Sequence, residues 1–165
     1  MGNKILYFAY GSNLNKRQME IRCPDSKPLC RYTGSNYRLT FRYHANIEKC
    51  VPGSKESVPG AIYEISKRDE RMLDRYEGVD HHGVGGYYRK AYFESSHGLV
   101  LVYIMVESTR GKINRPDETY YNVCVEGCED WGLGDAHMIE AAKQSGVNPE
   151  YDGKGWWNLK ELVAY

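Results

Sequence analysis

The chain has 165 residues, enough for one domain with a hydrophobic core of its own. Its 22 Lys and Arg residues balance 22 Asp and Glu residues, so the formal net charge is zero. Because non-specific binding to nucleic acid or to an anionic membrane requires a basic excess or a basic patch, this composition argues against both kinds of partner.

The first predicted element is a strand that leads through a glycine turn into a helix. Residues Ile5–Tyr10 are apolar or aromatic without a break, which is typical of a buried strand. The segment Gly11-Ser12-Asn13 tolerates tight backbone geometry. Asn15, followed three residues later by Gln18, has the spacing of a capping box and predicts a helix from about Lys16 to Cys23.

This arrangement points backbone N–H groups and the positive end of a helix dipole at one place. Such a place favours a carboxylate, a phosphate or an oxyanion. A plain strand-to-helix turn without a ligand has the same pattern, so the turn alone leaves both interpretations open.

Two strands and a loop are predicted next. Residues 29–32 and 36–43 form the strands, and in the second an aromatic and apolar face alternates with a charged one, which indicates half burial. The polar segment 44–57 contains Gly and Pro and predicts a loop.

A strand at 58–65 leads into a second helix. Ser66 and Asp69 approximate a capping box at its start, and Gly78 is placed to end it in the left-handed conformation. Glu77 would then lie at the negative end of the helix dipole, which raises the pKa of a carboxyl group. A carboxyl group of raised pKa suits a general base and acid, although a solvated glutamate at a helix end is the plainer interpretation.

The second half of the chain predicts a strand pair and then helices. Residues 87–94 and the nearly all-apolar segment 99–107, taken as a central strand, flank a hairpin-like turn. Pro116 is placed in the first turn of a helix that ends at Gly132, and a further helix spans 135–145. Strands and helices in this mixed order predict an α+β fold with a strongly curved sheet. The apolar tail around Trp156 is expected to dock on the domain.

Four motifs in this order resemble the γ-glutamylcyclotransferase family. Tyr7–Leu14 is similar to the family's Tyr-Gly-Ser-Asn-Leu signature, and Val58–Tyr63 is similar to one of its strands. Leu73–Val79 matches the place of its catalytic glutamate, and Pro116–Tyr120 resembles a helix start after its last long strand. The resemblance implies one domain over residues 1–165, a small closed or nearly closed β-barrel with helices packed outside.

The family reaction is an intramolecular cyclisation that releases 5-oxoproline and a free amine. The resemblance implies that Glu77 is the catalytic base and acid and that the glutamyl group is bound by Tyr10, Gly11, Ser12, Asn13, Leu14 and Tyr120. It implies a small-molecule γ-glutamyl substrate, no metal and no cofactor, in a monomer or weak homodimer. The leaving amine, and whether the loop binds the carboxylate or the oxyanion, stay open.

Two further interpretations come from other classes of protein. A non-catalytic small-ligand module could keep the anion-binding turn. A hydrolase or acyltransferase could use Ser12 with His81 or His82, although the Gly-x-Ser-x-Gly elbow is absent. A zinc site drawn from Cys23, Cys30, His44 and Cys50 is disfavoured because no ligand pair has the usual short spacing.

The five cysteines are scattered and form no CxxC pair. An odd, irregular set of cysteines indicates reduced thiols. Met1–Tyr10 contains too short an apolar run for a signal peptide or a membrane span. We therefore expect a cytoplasmic protein that does not bind membranes.

Overall fold

The computed structural model of the protein describes residues 2–80, 82, 86–108 and 111–149. The seven strands of this part are β1 Ile5–Ala9, β2 Lys27–Ser35, β3 Tyr37–Arg42, β4 His44–Lys49, β5 Ser57–Ile65, β6 Tyr88–Ser95 and β7 Gly98–Met105. Its α-helices are α1 Lys16–Arg22, α2 Lys67–Tyr76, α3 Glu118–Trp131 and α4 Ala136–Gln144, and a 3₁₀ turn spans Ser12–Leu14.

The main sheet is mixed and has β1 at its centre. Its strand order is β2-β5-β1-β7-β6, with β1 antiparallel to β5 and parallel to β7. β1 has a strand on each side, and three successive residues of it, Tyr7, Phe8 and Ala9, are buried, so both of its faces are covered there, in agreement with its unbroken apolar sequence. The predicted strand at 99–107 is also interior, but it lies next to the centre rather than at it.

Three aromatic rings show that this sheet is strongly curled. Tyr32 on the edge strand β2 stacks on Phe93 of the opposite edge strand β6, with ring centroids 5.6 Å apart. Phe8 of the central strand packs edge-on against both rings at 5.7 Å. Gly60 lacks a Cβ where one would collide with the Phe8 ring. The expected α+β fold with a curved mixed sheet is therefore confirmed, whereas the described strands keep a linear order and do not show a closed barrel.

The second sheet is the hairpin of β3 and β4, and it corrects the first part of the loop predicted at 44–57; residues 50–56 do form a loop. Tyr43 adopts the left-handed conformation (φ 66°) and reverses the chain between the two strands. Two polar residues of β4 have polar partners within the fold: Asn46 accepts a hydrogen bond from the Met105 N–H, and Glu48 accepts from Thr40 and from the buried Arg42. The predicted alternation of a buried and a charged face consequently fails at the end of β3.

The helix ends follow the predictions closely, with two differences. Asn15 accepts a hydrogen bond from the Gln18 backbone N–H, but the Gln18 side chain donates to Asn13 and does not complete a capping box. Pro116 lies before α3, not in its first turn, because Asp117 is the N-cap and accepts from two backbone N–H groups of that turn.

Helix α2 has the expected cap at each end. Ser66 and Asp69 form a reciprocal capping box at its start. Gly78 follows its last turn with φ 62°, and Glu77 is the C-cap residue. Glu77 is thereby fixed at the C-terminal end of α2.

All five cysteines are free, and Cys23, Cys124 and Cys128 are fully buried. In the part of the chain that the structure describes, no helix is long and apolar enough to cross a lipid bilayer. The tail around Trp156 lies outside the described residues, and so do residues 83–85 of the segment Gly83-Val84-Gly85-Gly86, which the sequence predicts to be a flexible connector.

Candidate active site

A cavity of about 200 Å³ opens where β1 leaves the sheet and enters the 3₁₀ turn. Most of its wall is aromatic: three strands and two helices contribute five tyrosines, and two more lie beside strands. The lining residues are Tyr7, Tyr10, Gly11, Ser12, Asn13, Arg22, His44, Ala45, Tyr76, Glu77, Tyr87, Tyr88, Tyr103 and Tyr120.

The glycine of the turn is required by a close approach of the hairpin. A Cβ on Gly11 would lie 2.9 Å from the Cβ of Ala45, and its φ of −117° needs no glycine. The Leu14 N–H donates to the Gly11 carbonyl at 3.1 Å and closes the 3₁₀ turn. The first N–H groups of any helical turn have no acceptor within it, and in this turn those groups belong to Ser12 and Asn13, which both line the cavity.

Glu77 supplies the carboxylate of the cavity. Burial raises its pKa from 4.5 to about 7, while the positive charge of Arg22 and a hydrogen bond from Asn13 act in the opposite direction. Its place as the C-cap of α2 adds the unfavourable field of a helix C-terminus. A carboxyl group with a pKa near neutrality exchanges protons readily in both directions.

Asn13 connects this carboxylate to two other elements. Its Nδ2 donates to Oε1 of Glu77 at 3.2 Å and to the hydroxyl oxygen of Tyr7 at 2.9 Å. Its Oδ1 accepts from Nε2 of Gln18 at 3.1 Å and from Nη1 of Arg22 at 2.9 Å. With donors on one side and acceptors on the other, only one orientation of the Asn13 amide satisfies all four contacts.

The tyrosine wall is held by hydrogen bonds to the surrounding backbone. Tyr10 donates to the carbonyl of Tyr103, and Tyr88 donates to the carbonyl of Ala45, both at 2.6 Å. The hydroxyl oxygen of Tyr120 accepts from the Ala45 N–H at 3.0 Å. Burial raises the pKa of Tyr10, Tyr88 and Tyr120 well above its usual value, so these hydroxyls are neutral at physiological pH.

The structure gathers all but one of the residues expected from the sequence. Glu77, the Gly11-Ser12-Asn13 turn, Tyr10 and Tyr120 line the same cavity. Leu14 does not line it: its side chain is fully buried, and its carbonyl accepts from Tyr63 and Trp131 on the far side of the turn.

Several lining residues had no signal in the sequence. Arg22 is the last residue of α1 and reaches the cavity over the ring of Tyr76, 4.6 Å from its centroid. His44 and Ala45 come from β4, which was expected to be a loop, and the His44 ring packs edge-on against Tyr120 at 4.8 Å. Residues of this kind are brought in by tertiary packing alone.

The geometry gives little support to the alternative sites. His82 does not line the cavity and uses its backbone N–H on Asp80, while His81 lies outside the described residues. Within residues 2–80, 82, 86–108 and 111–149, no three His, Cys, Asp or Glu side chains are grouped as metal ligands.

The chain resembles known proteins in both sequence and structure. The sequence profile of the family described as "Gamma-glutamyl cyclotransferase, AIG2-like" matches residues 7–122. A Mus musculus protein named Gamma-glutamylcyclotransferase is 30% identical, over 98% of this chain and 89% of its own length. The Bos taurus protein of the same name is 22% identical over the same shares. A solved structure described as a gamma-glutamyl cyclotransferase has a TM-score of 0.67 at 22% identity, covering 98% of this chain and 99% of that one.

Proposed function

Since the chain belongs to the gamma-glutamyl cyclotransferase (AIG2-like) family, we propose that it converts a γ-glutamyl amine or γ-glutamyl amino acid to 5-oxoproline and the free amine. Membership makes the chain a cyclotransferase, which is an enzyme. Our proposal concerns the product, the residues and their roles: Glu77 as general base and acid, and the Gly11-Ser12-Asn13 turn as the site for the glutamyl group.

The observation that carries the proposal is the environment of Glu77. It is the one carboxylate among the described lining residues, it is hydrogen-bonded in a fixed direction by Asn13, and its pKa is about 7. A base of this pKa is half ionised at neutral pH and returns its proton as easily as it takes it.

The chemistry requires such a group because protons move both ways. The α-amine of the γ-glutamyl group is protonated at neutral pH and cannot attack until a base removes a proton. The freed nitrogen attacks the γ-carbonyl carbon of the same group, the lactam C–N bond forms, and the C–N bond to the leaving amine breaks. Two protons leave the α-nitrogen and two are gained by the leaving amine, so that Glu77 acts alternately as base and acid.

The turn and the tyrosine wall supply binding and exclusion of water. Backbone N–H groups at Ser12 and Asn13 are suited to either the glutamyl carboxylate or the oxyanion on the γ-carbonyl. The cavity of about 200 Å³ confines a short, flexible chain to a folded conformation in which the amine lies near the carbonyl. Tyr120 and Tyr10, held by backbone hydrogen bonds, contribute rigid walls, and we assign them to the binding of the glutamyl group.

The experiment is a 5-oxoproline release assay with Glu77→Gln, over a panel of γ-glutamyl amines and γ-glutamyl amino acids. Glutamine keeps the shape and a hydrogen-bonding side chain but has no basicity, so the variant should fold and turnover should fall by at least about 10²-fold. Glu20→Gln, at an exposed position on α1, is the matched control and should keep wild-type turnover.

Near-normal turnover by Glu77→Gln would assign the base to another residue. Ligand binding without 5-oxoproline release by the wild-type protein would instead favour the non-catalytic module. The panel also identifies the leaving amine. We further propose a cytoplasmic location, because five free thiols suit a reducing compartment.

A further inference from the structure

The cavity contains a cation that the proposed mechanism has not used. Arg22 ends α1, and its guanidinium lies over the Tyr76 ring and donates through Nη1 to Oδ1 of Asn13. Asn13 in turn donates through Nδ2 to Glu77. The three side chains therefore form one directed chain of hydrogen bonds that ends on the carboxylate.

We infer that Arg22 is a positioning residue for the proposed reaction: its Nη1–H holds the Asn13 amide in the orientation that presents Nδ2 to Glu77, and its charge acts on the carboxylate across that amide. The inference rests on the proposed function in so far as Glu77 is the base of that reaction.

The Asn13 amide lies between the guanidinium of Arg22 and the carboxylate of Glu77, and this arrangement determines how strongly the two charges interact. Among the described ion pairs, none joins Arg22 to Glu77, so the guanidinium is a neighbour of the carboxylate and not its partner. A direct pair would hold the carboxylate ionised and make it a poor base. With no cation nearby, burial alone would keep it protonated and unable to accept a proton. Because the Asn13 amide lies between them, Arg22 stabilises the ionised form of Glu77 less than a direct ion pair would, but more than no cation would.

The other groups that face Glu77 carry no charge at neutral pH. They are Tyr7 of β1, Tyr10 after it, Cys23 beyond α1, Tyr88 of β6, Tyr103 of β7 and Tyr120 of α3, and burial raises the pKa of each of them. His44 of β4 is kept neutral, because burial and the nearby Arg22 lower its pKa. On α2 itself, Asp74 is paired with Lys90 at 2.7 Å and accepts from Tyr103. Among the described surroundings, Arg22 is thus the charged group that opposes the effect of burial and lowers the pKa of Glu77.

A direct titration tests this without relying on activity. The side-chain carboxyl carbon of Glu77 can be followed by ¹³C NMR as the pH is changed, with its signal assigned by its loss in Glu77→Gln. In Arg22→Met the midpoint should move upward by about one pH unit or more, the size expected when a neighbouring opposite charge is removed. Arg17→Met removes an exposed arginine from the same helix and should leave the midpoint unchanged.

Two conservative variants separate the two parts of the role. Arg22→Lys keeps the charge and should give a midpoint between those of wild type and Arg22→Met. Arg22→Gln keeps a donor for Asn13 but has no charge, so it should raise the midpoint while the Glu77–Asn13 hydrogen bond survives. These variants also preserve the test if Arg22→Met does not fold.

Kinetics provide a second readout. In Arg22→Met, kcat/KM at pH 7 should fall by about tenfold, and the acidic limb of its pH profile should move upward with the NMR midpoint. An unchanged Glu77 midpoint in Arg22→Met and Arg22→Gln, or an equal shift in Arg17→Met, would overturn the inference. A failure of the wild-type protein to release 5-oxoproline would count against the proposed function alone, because the titration still measures the effect of Arg22.

Discussion

At the scale of single residues, the surroundings of Glu77 disfavour the ionised form of its carboxyl group. Burial and the helix C-terminus both favour the protonated form, and its pKa rises to about 7. In the unfolded chain the same group would titrate near 4.5. Between these two values the folded protein binds a proton that the unfolded chain has lost, so the contribution of Glu77 to stability falls as the pH rises through this window.

Glu77→Gln should therefore stabilise the fold at alkaline pH although it removes the proposed base. At pH 8 we expect the free energy of unfolding to rise by about 1–3 kcal/mol, because glutamine carries no charge to bury. The gain should shrink as the pH falls below about 7 and vanish below 4.5. Urea unfolding at several pH values measures it, and a gain that is independent of pH would contradict the assignment of the raised pKa.

Ser12→Ala tests what the turn contributes. If Ser12 shapes the turn or donates one hydrogen bond, turnover should fall by about 10- to 1000-fold and leave measurable activity, as when one oxyanion donor is removed. An acyl-enzyme trapped on Ser12 and found by mass spectrometry would make it a nucleophile instead and would revive the hydrolase interpretation.

The sequence predicts those site residues that belong to a local motif. Glu77 follows from a helix end and a glycine, and Ser12 and Asn13 follow from the turn after a buried strand. Arg22 is different: it lies on the same short helix as Arg17, and only the folded chain distinguishes the cavity-facing arginine from the exposed one. Leu14 was included because it belongs to the motif, yet its role is to pack the turn onto α3.

At the scale of elements, hydrophobic pattern predicts strands that bury apolar faces and misses those that bury polar groups. Strand β5 and helix α2 have clear patterns and were predicted within a residue or two. Strand β4 was not, because Asn46 and Glu48 have polar partners within the fold: Asn46 accepts from the Met105 N–H, and Glu48 pairs with Arg42. A polar segment of this kind is indistinguishable from a loop until its partners are known.

The capping box of α2 should affect more than the helix itself. Ser66 accepts from the Asp69 N–H at 3.1 Å and donates to Asp25 at 2.9 Å, which ties the loop after α1 to the start of α2. Ser66→Ala should lower the free energy of unfolding by about 0.5–2 kcal/mol. Urea unfolding measures the loss against Ser108→Ala, an exposed serine outside any element, which should be neutral. An equal loss in both variants would contradict a role for the cap.

At the scale of the whole molecule, the proposed cyclisation does not require a metal ion to activate any bond. In the proposed mechanism, Glu77 supplies the proton transfers and the turn supplies donors for the glutamyl carboxylate or a developing oxyanion. We expect 5-oxoproline release to survive prolonged incubation with EDTA. A loss of activity that added zinc or magnesium restores would require a different mechanism.

The reactivity of the buried cysteines can report when parts of the folded chain open to solvent. Burial raises the pKa of Cys23 and Cys128 to about 12 and raises that of Cys124 as well, so that these thiols are unreactive while the chain is folded. Cys30 and Cys50 are partly exposed, and iodoacetamide should modify these two first. Later modification of Cys23, near α2, or of Cys124 and Cys128, on α3, would then time the separate opening of those two regions. Because Cys23 lies between α1 and α2 whereas Cys124 and Cys128 lie on α3, a comparison of their alkylation rates would show whether these helices open together or separately.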